Sequence, residues 1–258
     1  LNCAILADDV TPDDEEFDLF VKEVVREMTV KAGQKCTAIR RAIVPRKHLD
    51  AVAEKIKARL SKVVVGDPSV EGVKMGALAS KSQQSDVAER VALLRQSAEL
   101  VYGGDANFSL VGEGVAKGSF FQPTLLLCQK PLSTDSVHDV EAFGPVSTLM
   151  PYDNMEEAMA LAKRGKGSLV GSLITKTPEV AAQVVPRLAA NHGRFPSIFY
   201  PCHQPNSNDS TPRGDRAGEL LSTFLGGTCH SVKSVTTSPY RHEKIDEFVP
   251  QAQFRNLI

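Results

Sequence analysis

Residues 15–30, EEFDLFVKEVVREMTV, set Phe17, Phe20, Val21, Val24, Val25 and Met28 on one face and charge on the other. That is the period of an amphipathic helix. Thr11 is its expected cap, Pro12 suits its first position, and Asp13 to Glu16 favour the positive end of its dipole. Gly33 is its expected stop. TAIRRAIVP (37–45) is β-branched and alternating, which predicts a strand. Residues 48–63 return to the helical period, with Leu49, Val52, Ala53, Ile56 and Leu60 on one stripe, and VVVGDP (63–68) reads as a short strand ending in a turn. Residues 82–98 carry Val87, Val91, Leu94 and Ala98 on a third helical stripe.

The glycines of 102–120 predict hairpins and loops. PTLLLC (123–128) is a compact apolar strand, and FGPVSTLMPY (143–152) is a turn running into another. A helix over 154–165, a strand over 168–175 and a helix over 177–190 follow, the last interrupted by Pro186. Helices alternating with strands predict an α/β fold, with helices covering a sheet. After about Gly193 the period vanishes into segments rich in Pro, Ser, Asn and Asp, so 195–258 is expected to be loop or poorly ordered. The expected division is therefore a folded unit over 1–194 and a loop-rich tail over 195–258.

Composition narrows the function classes. The chain has 258 residues, 42% hydrophobic and 24% charged, with a formal net charge of -1. Such a balance is that of an ordinary globular protein and argues against a dedicated nucleic-acid binder, which carries a basic face. No apolar run reaches the roughly 20 residues that cross a bilayer. No signal peptide is visible: LNCAIL lacks a basic start and is followed by the acidic ADDVTPDDEE. Five widely spaced cysteines, Cys3, Cys36, Cys128, Cys202 and Cys229, form no CxxC pair, which argues against a zinc ribbon or a disulfide framework. No metal site is expected, and a reducing cytoplasm is the simplest compartment.

Free cysteine is by default a small buried hydrophobe. Cys3 and Cys128, inside apolar runs, fit that default. Cys36 differs, because it falls on a turn between a glycine-stopped helix and a strand, flanked by Lys31, Lys35, Arg40 and Arg41. Nearby cations favour the thiolate, the nucleophilic form.

The string GQKCTAIRR, Gly33 to Arg41, resembles the nucleophile motif of the aldehyde dehydrogenase superfamily. EAFGPVSTLMPY, Glu141 to Tyr152, resembles the family's Glu-x-Phe-Gly-Pro-Val segment at the proper remove. With DLFVKEVVREMTVKAGQKCTAIRRAIVP, KVVVGDPSVEGVKMGAL and VHDVEAFGPVSTLMP, the likeness covers about 1–194. It is strongest to the branch that serves phenylacetate and CoA-dependent benzoate catabolism.

The resemblance implies the catalytic domain of that family, with helices on a largely parallel sheet. It implies Cys36 as the nucleophile that adds to an aldehyde, giving a thiohemiacetal and then a thioester. It implies that Glu141 binds the nicotinamide ribose of NAD or NADP and that Phe143 packs near the nicotinamide. The implied substrate is an aldehyde, specifically a CoA-linked semialdehyde, and the implied full-length protein is a homo-oligomer. His138 and His192 match no family role and are expected to be structural. In the family the general-base glutamate, an oxyanion-hole asparagine and the Rossmann-type cofactor domain all precede the segment beginning at Leu1. The chain is therefore expected to be a fragment. An inactive truncated remnant, keeping only the fold or an assembly surface, is the alternative reading.

Overall fold

The computed structural model describes residues 1–104 and 108–198, and the backbone of 232–235. Its centre is one sheet in the order β3-β4-β5-β2-β1-β6-β7-β8. The strands are β1 (Cys3–Leu6), β2 (Arg41–Pro45), β3 (Glu99–Tyr102), β4 (Thr124–Leu127), β5 (Val146–Tyr152), β6 (Ser168–Ile174), β7 (His192–Ile198) and β8 (Val232–Val235). In this order the strands from β4 to β7 pair in parallel, and β3 and β8 run antiparallel to their neighbours.

Among the described residues six helices accompany it: α1 (Glu15–Thr29), α2 (Leu49–Leu60), α3 (Lys81–Leu94), the short α4 (Ser136–Asp139), α5 (Met155–Lys163) and α6 (Pro178–Leu188). The expected α/β class is thus the observed one. A right-handed crossover fixes which face a helix covers. The β1–α1–β2 unit steps one way along the sheet and β5–α5–β6 steps back the other way, so α1 and α5 lie on opposite faces.

Strand alternation then divides the core. Ala4, Leu6, Ala42 and Val44 pack with Phe17, Phe20, Val24, Val52 and Ile56 of α1 and α2. Cys3, Ile5, Ile43 and Met150 pack with Val87, Val91, Leu161, Val184 and Leu188 of α3, α5 and α6. All four residues of β1 are buried, the mark of a parallel strand covered on both faces.

Several local expectations shift. Helix α1 starts at Glu15, and Thr11 does not cap it. Asp14 stands at the cap position, and its Oδ2 turns back to accept from the Thr11 N–H and hydroxyl, both at 2.7 Å. The helix stops at Thr29, and a 3-10 turn over Val30–Gly33 follows with Lys31 and Ala32 at positive φ. The expected strand over 63–68 forms only single bridges, Val65 to Met75 and Gly66 to Val111. The expected loop over 102–120 is preceded by an edge strand, because Glu99–Tyr102 finds β4 as an antiparallel partner. Residues 195–198 are strand rather than loop: Phe195 is fully buried against the sheet, and β7 pairs with both β6 and β8. Further along the expected tail the backbone of 232–235 forms β8, again strand rather than loop, and the other residues beyond 198 lie outside the described residues. Pro186 is accommodated inside α6 without ending it.

Candidate active site

Two segments about a hundred residues apart meet because of strand adjacency. Cys36 precedes β2 and Glu141 to Gly144 precede β5, and β2 and β5 are parallel neighbours in register from Arg41↔Thr148 onward. Both segments therefore enter the sheet at the same, amino-terminal edge. Asn2 enters there too, just before β1 on the other side of β2.

The approach is close enough to require glycine. Gly33 has φ +68, and a Cβ on it would lie 2.1 Å from the Gly144 carbonyl oxygen. Arg40 ties the same two residues together. Its Nη2 donates to Gly33 O at 2.7 Å, its Nη1 to Gly144 O at 2.6 Å, and its Nε to Glu141 Oε1 at 3.2 Å. The guanidinium carbon stands 5.3 Å from the centre of the Phe143 ring, within range of a cation–π contact. Burial pushes the Arg40 pKa down, while Glu141 pushes it back up.

Cys36 itself is exposed, whereas Cys3 and Cys128 are buried. Its carbonyl accepts from Asn2 Nδ2 at 2.7 Å, and the same nitrogen donates to Ala38 O at 3.1 Å. Asn2 Oδ1 in turn accepts from Val170 N at 3.0 Å, so one buried amide fastens the cysteine turn to β6. Gln34 Oε1 accepts from Ala79 N at 2.9 Å, just before the Ser80 cap of α3. From that helix Gln83 Nε2 donates to Phe143 O at 3.0 Å.

Three of the four basic residues flanking Cys36 have tasks other than the one expected of them. Lys35 pairs with Glu27 at 2.6 Å, and Arg40 is committed to the Glu141 turn. Arg41, fully buried on the opposite side of the strand, donates to Leu1 O, to Leu161 O and Ala162 O at the end of α5, and to His138 Nδ1 at 3.1 Å. Lys35 and Arg40 thus tie the turn to its neighbours, while Arg41 fastens α5 and the start of β1.

Both histidines are buried among backbone partners. His138 Nε2 donates to Pro131 O at 2.9 Å, which leaves Nδ1 free to accept from Arg41. Burial, reinforced by the Arg41 charge, lowers its pKa to about 4. His192 donates through Nδ1 to Leu188 O at 3.0 Å and lies 3.6 Å from the Cys3 sulfur through Nε2.

Of the residues expected at the site, Glu141 is 41% exposed in its side chain and Phe143 is half-buried. Asn2, Arg40 and Gln83 join them. Arg40 was visible in the sequence only as a basic flank, and nothing in the sequence marked Asn2 or Gln83. At the opposite, carboxyl edge a crevice of about 440 Å³ lies among Asp8, Arg46, Lys47, Tyr152 and Asp153. Arg46 and Lys47 are bonded within that rim, to Asp153 and to the Asp8 carbonyl. No helix among the described residues is long and apolar enough to cross a membrane.

Comparison with known proteins identifies the family. The sequence profile of the aldehyde dehydrogenase family matches residues 8–194. The 3,4-dehydroadipyl-CoA semialdehyde dehydrogenase of Aromatoleum evansii is 49% identical over 194 residues, 75% of this chain and 38% of that protein. Protein MaoC of Klebsiella aerogenes is 40% identical over 148 residues, 57% of this chain and 41% of that protein. A mutant of aldehyde dehydrogenase C from Pseudomonas syringae, in complex with NAD+ and octanal, superposes with a TM-score of 0.64 at 27% identity, over 79% of this chain and 39% of that one. The chain thus spans about two fifths of the length of these relatives.

Proposed function

The chain belongs to the aldehyde dehydrogenase family, and from that premise we propose that it carries the nucleophile and part of the cofactor site of an NAD(P)-dependent enzyme oxidising a CoA-linked semialdehyde. The observation behind this reading is the meeting of the Gly33–Cys36 turn, whose cysteine is exposed, with the Glu141–Gly144 turn at one edge of the sheet, on bonds from Arg40 to Gly33 O, Gly144 O and Glu141. The identity to a CoA-semialdehyde dehydrogenase supports the substrate class and a place in aromatic-acid catabolism.

Glu141 and Phe143 fit the ribose end of a nicotinamide dinucleotide. Only Oε1 of Glu141 is taken by Arg40, and the side chain is 41% exposed, so the second oxygen can accept a ribose hydroxyl. The half-buried Phe143 ring offers an apolar face beside it. When bound, the nicotinamide supplies the hydride acceptor.

The chain's own part is covalent. Cys36 Sγ forms a bond to the aldehyde carbon, and the carbonyl π pair moves to oxygen. The Cys36 backbone N–H shares that charge, as one donor of an oxyanion hole contributes about 3 kcal/mol to the transition state. Loss of hydride from the resulting thiohemiacetal leaves a thioester on Cys36, a species that water can cleave to acid and free thiol. Asn2 keeps the cysteine turn in one conformation during these steps.

The reading is tested by following nicotinamide reduction with NAD+ or NADP+ and an acyl-CoA semialdehyde. Cys36→Ser is expected to abolish reduction, and Glu141→Gln to raise KM for the dinucleotide more than it lowers kcat. Undiminished turnover in Cys36→Ser would sink the proposal.

A further inference from the structure

Two arginines in succession enter β2, and strand alternation sends them to opposite faces. Arg41 fastens α5 and the start of β1, away from the thiol. Arg40 is only 5% exposed and donates through all three guanidinium nitrogens. One acceptor, Gly33 O, lies on the turn that carries the nucleophile; the other two, Glu141 Oε1 and Gly144 O, bracket Phe143. Its own carbonyl accepts from Thr148 N of β5 at 2.9 Å, which fixes the arginine in the sheet.

From this geometry we infer that Arg40 is a positioning residue, which holds the Cys36 turn and the Glu141–Phe143 pair at one separation so that a change at Glu141 is felt at Cys36. The inference rests on the assignment of Cys36 as nucleophile. A planar fork is needed, because three acceptors lie in different directions around it. The single ammonium of lysine provides a point charge and cannot span them. Positioning of this kind matters because reactivity falls steeply with small displacements of a reacting atom.

The test is a double-variant cycle of Arg40→Met and Glu141→Gln, read as the rate of Cys36 carboxamidomethylation by iodoacetamide in the folded chain, with the modified residue located by mass spectrometry. Coupled residues give non-additive effects. We expect roughly a tenfold slower rate in Arg40→Met and roughly a threefold slower rate in Glu141→Gln, with the double variant no slower than Arg40→Met. Arg40→Lys, which keeps the charge without the fork, is expected to behave like Arg40→Met. Effects that multiply, full rescue by lysine, or a Cys36 rate within about twofold of the parent in folded Arg40→Met overturns the inference. If Arg40→Met fails to fold, the cycle is run with Arg40→Lys. Failure of both to fold makes Arg40 a stability residue and also overturns it. The nucleophile assignment is judged separately, from the parent alone: it fails if Cys36 reacts no faster there than in the urea-unfolded chain.

Discussion

Replacing Gly33 by alanine tests how closely the two turns of the site approach. Two costs arise at this position. The residue sits at φ +68, where an L side chain costs about 1–2 kcal/mol. The new Cβ would also lie 2.1 Å from Gly144 O and 2.6 Å from Gly144 C, so the turns must part. Parting stretches the Arg40 bonds to Gly33 O and Gly144 O, and a hydrogen bond to a charged group contributes about 1.5–3 kcal/mol. With the equivalent of one of these bonds lost, the sum is about 2.5–5 kcal/mol. Gly72 supplies the control, since it has φ +88 and a Cβ there would meet nothing within 4 Å, so Gly72→Ala carries the backbone cost alone. Urea unfolding of both variants should therefore differ by about 1.5–3 kcal/mol, or roughly 3–12 °C in melting temperature. Equal destabilisation by the two substitutions would show that the turns do not touch.

Three further outcomes follow from the buried polar groups. His138 has its folded pKa lowered to about 4, below the usual 6.5. The unfolded chain then takes up a proton that the folded chain refuses, so stability is full above pH 6.5 and declines as pH falls towards 4. The loss approaches ~3 kcal/mol, and urea titrations should show it shrinking in His138→Gln, whose amide can serve both Pro131 O and Arg41. Asn2→Ala leaves Cys36 O, Ala38 O and Val170 N without their partner and should cost about 2–4 kcal/mol, with faster amide exchange around Cys36 and Val170. Arg41→Met strips the last carbonyls of α5 of their cation and should cost about 3–5 kcal/mol by thermal unfolding; a cost below about 1 kcal/mol would contradict the clamp.

The helices were legible because their stripes are long: Phe17 to Met28 on α1 and Leu49 to Leu60 on α2 repeat at one period, and those residues are buried. Strand β1 was not legible. Four residues buried on both faces show no alternation, and CAIL could equally be read as a fragment of helix. The edge strand β3 was missed because its partner, β4, lies beyond a glycine-rich loop. Cys36, Glu141 and Phe143 were singled out by motif, and the approach of the two turns that carry them follows from the adjacency of β2 and β5. Arg40 shows the limit most clearly. In the sequence it is one of several basic neighbours of a cysteine; in the fold it is a buried fork whose acceptors come from two turns, a relation no local pattern encodes.

The central claim is that Cys36 is the presented nucleophile, and acylation without a dinucleotide tests it most directly. p-Nitrophenyl acetate offers an acyl carbon that a competent thiolate attacks, with release of p-nitrophenolate and an acetyl thioester left on the protein. The account predicts a burst of p-nitrophenolate stoichiometric with the chain, the acetyl group on Cys36 by mass spectrometry, and loss of the burst in Cys36→Ser. A burst that survives Cys36→Ser, or acetyl groups spread evenly over the cysteines, would contradict it.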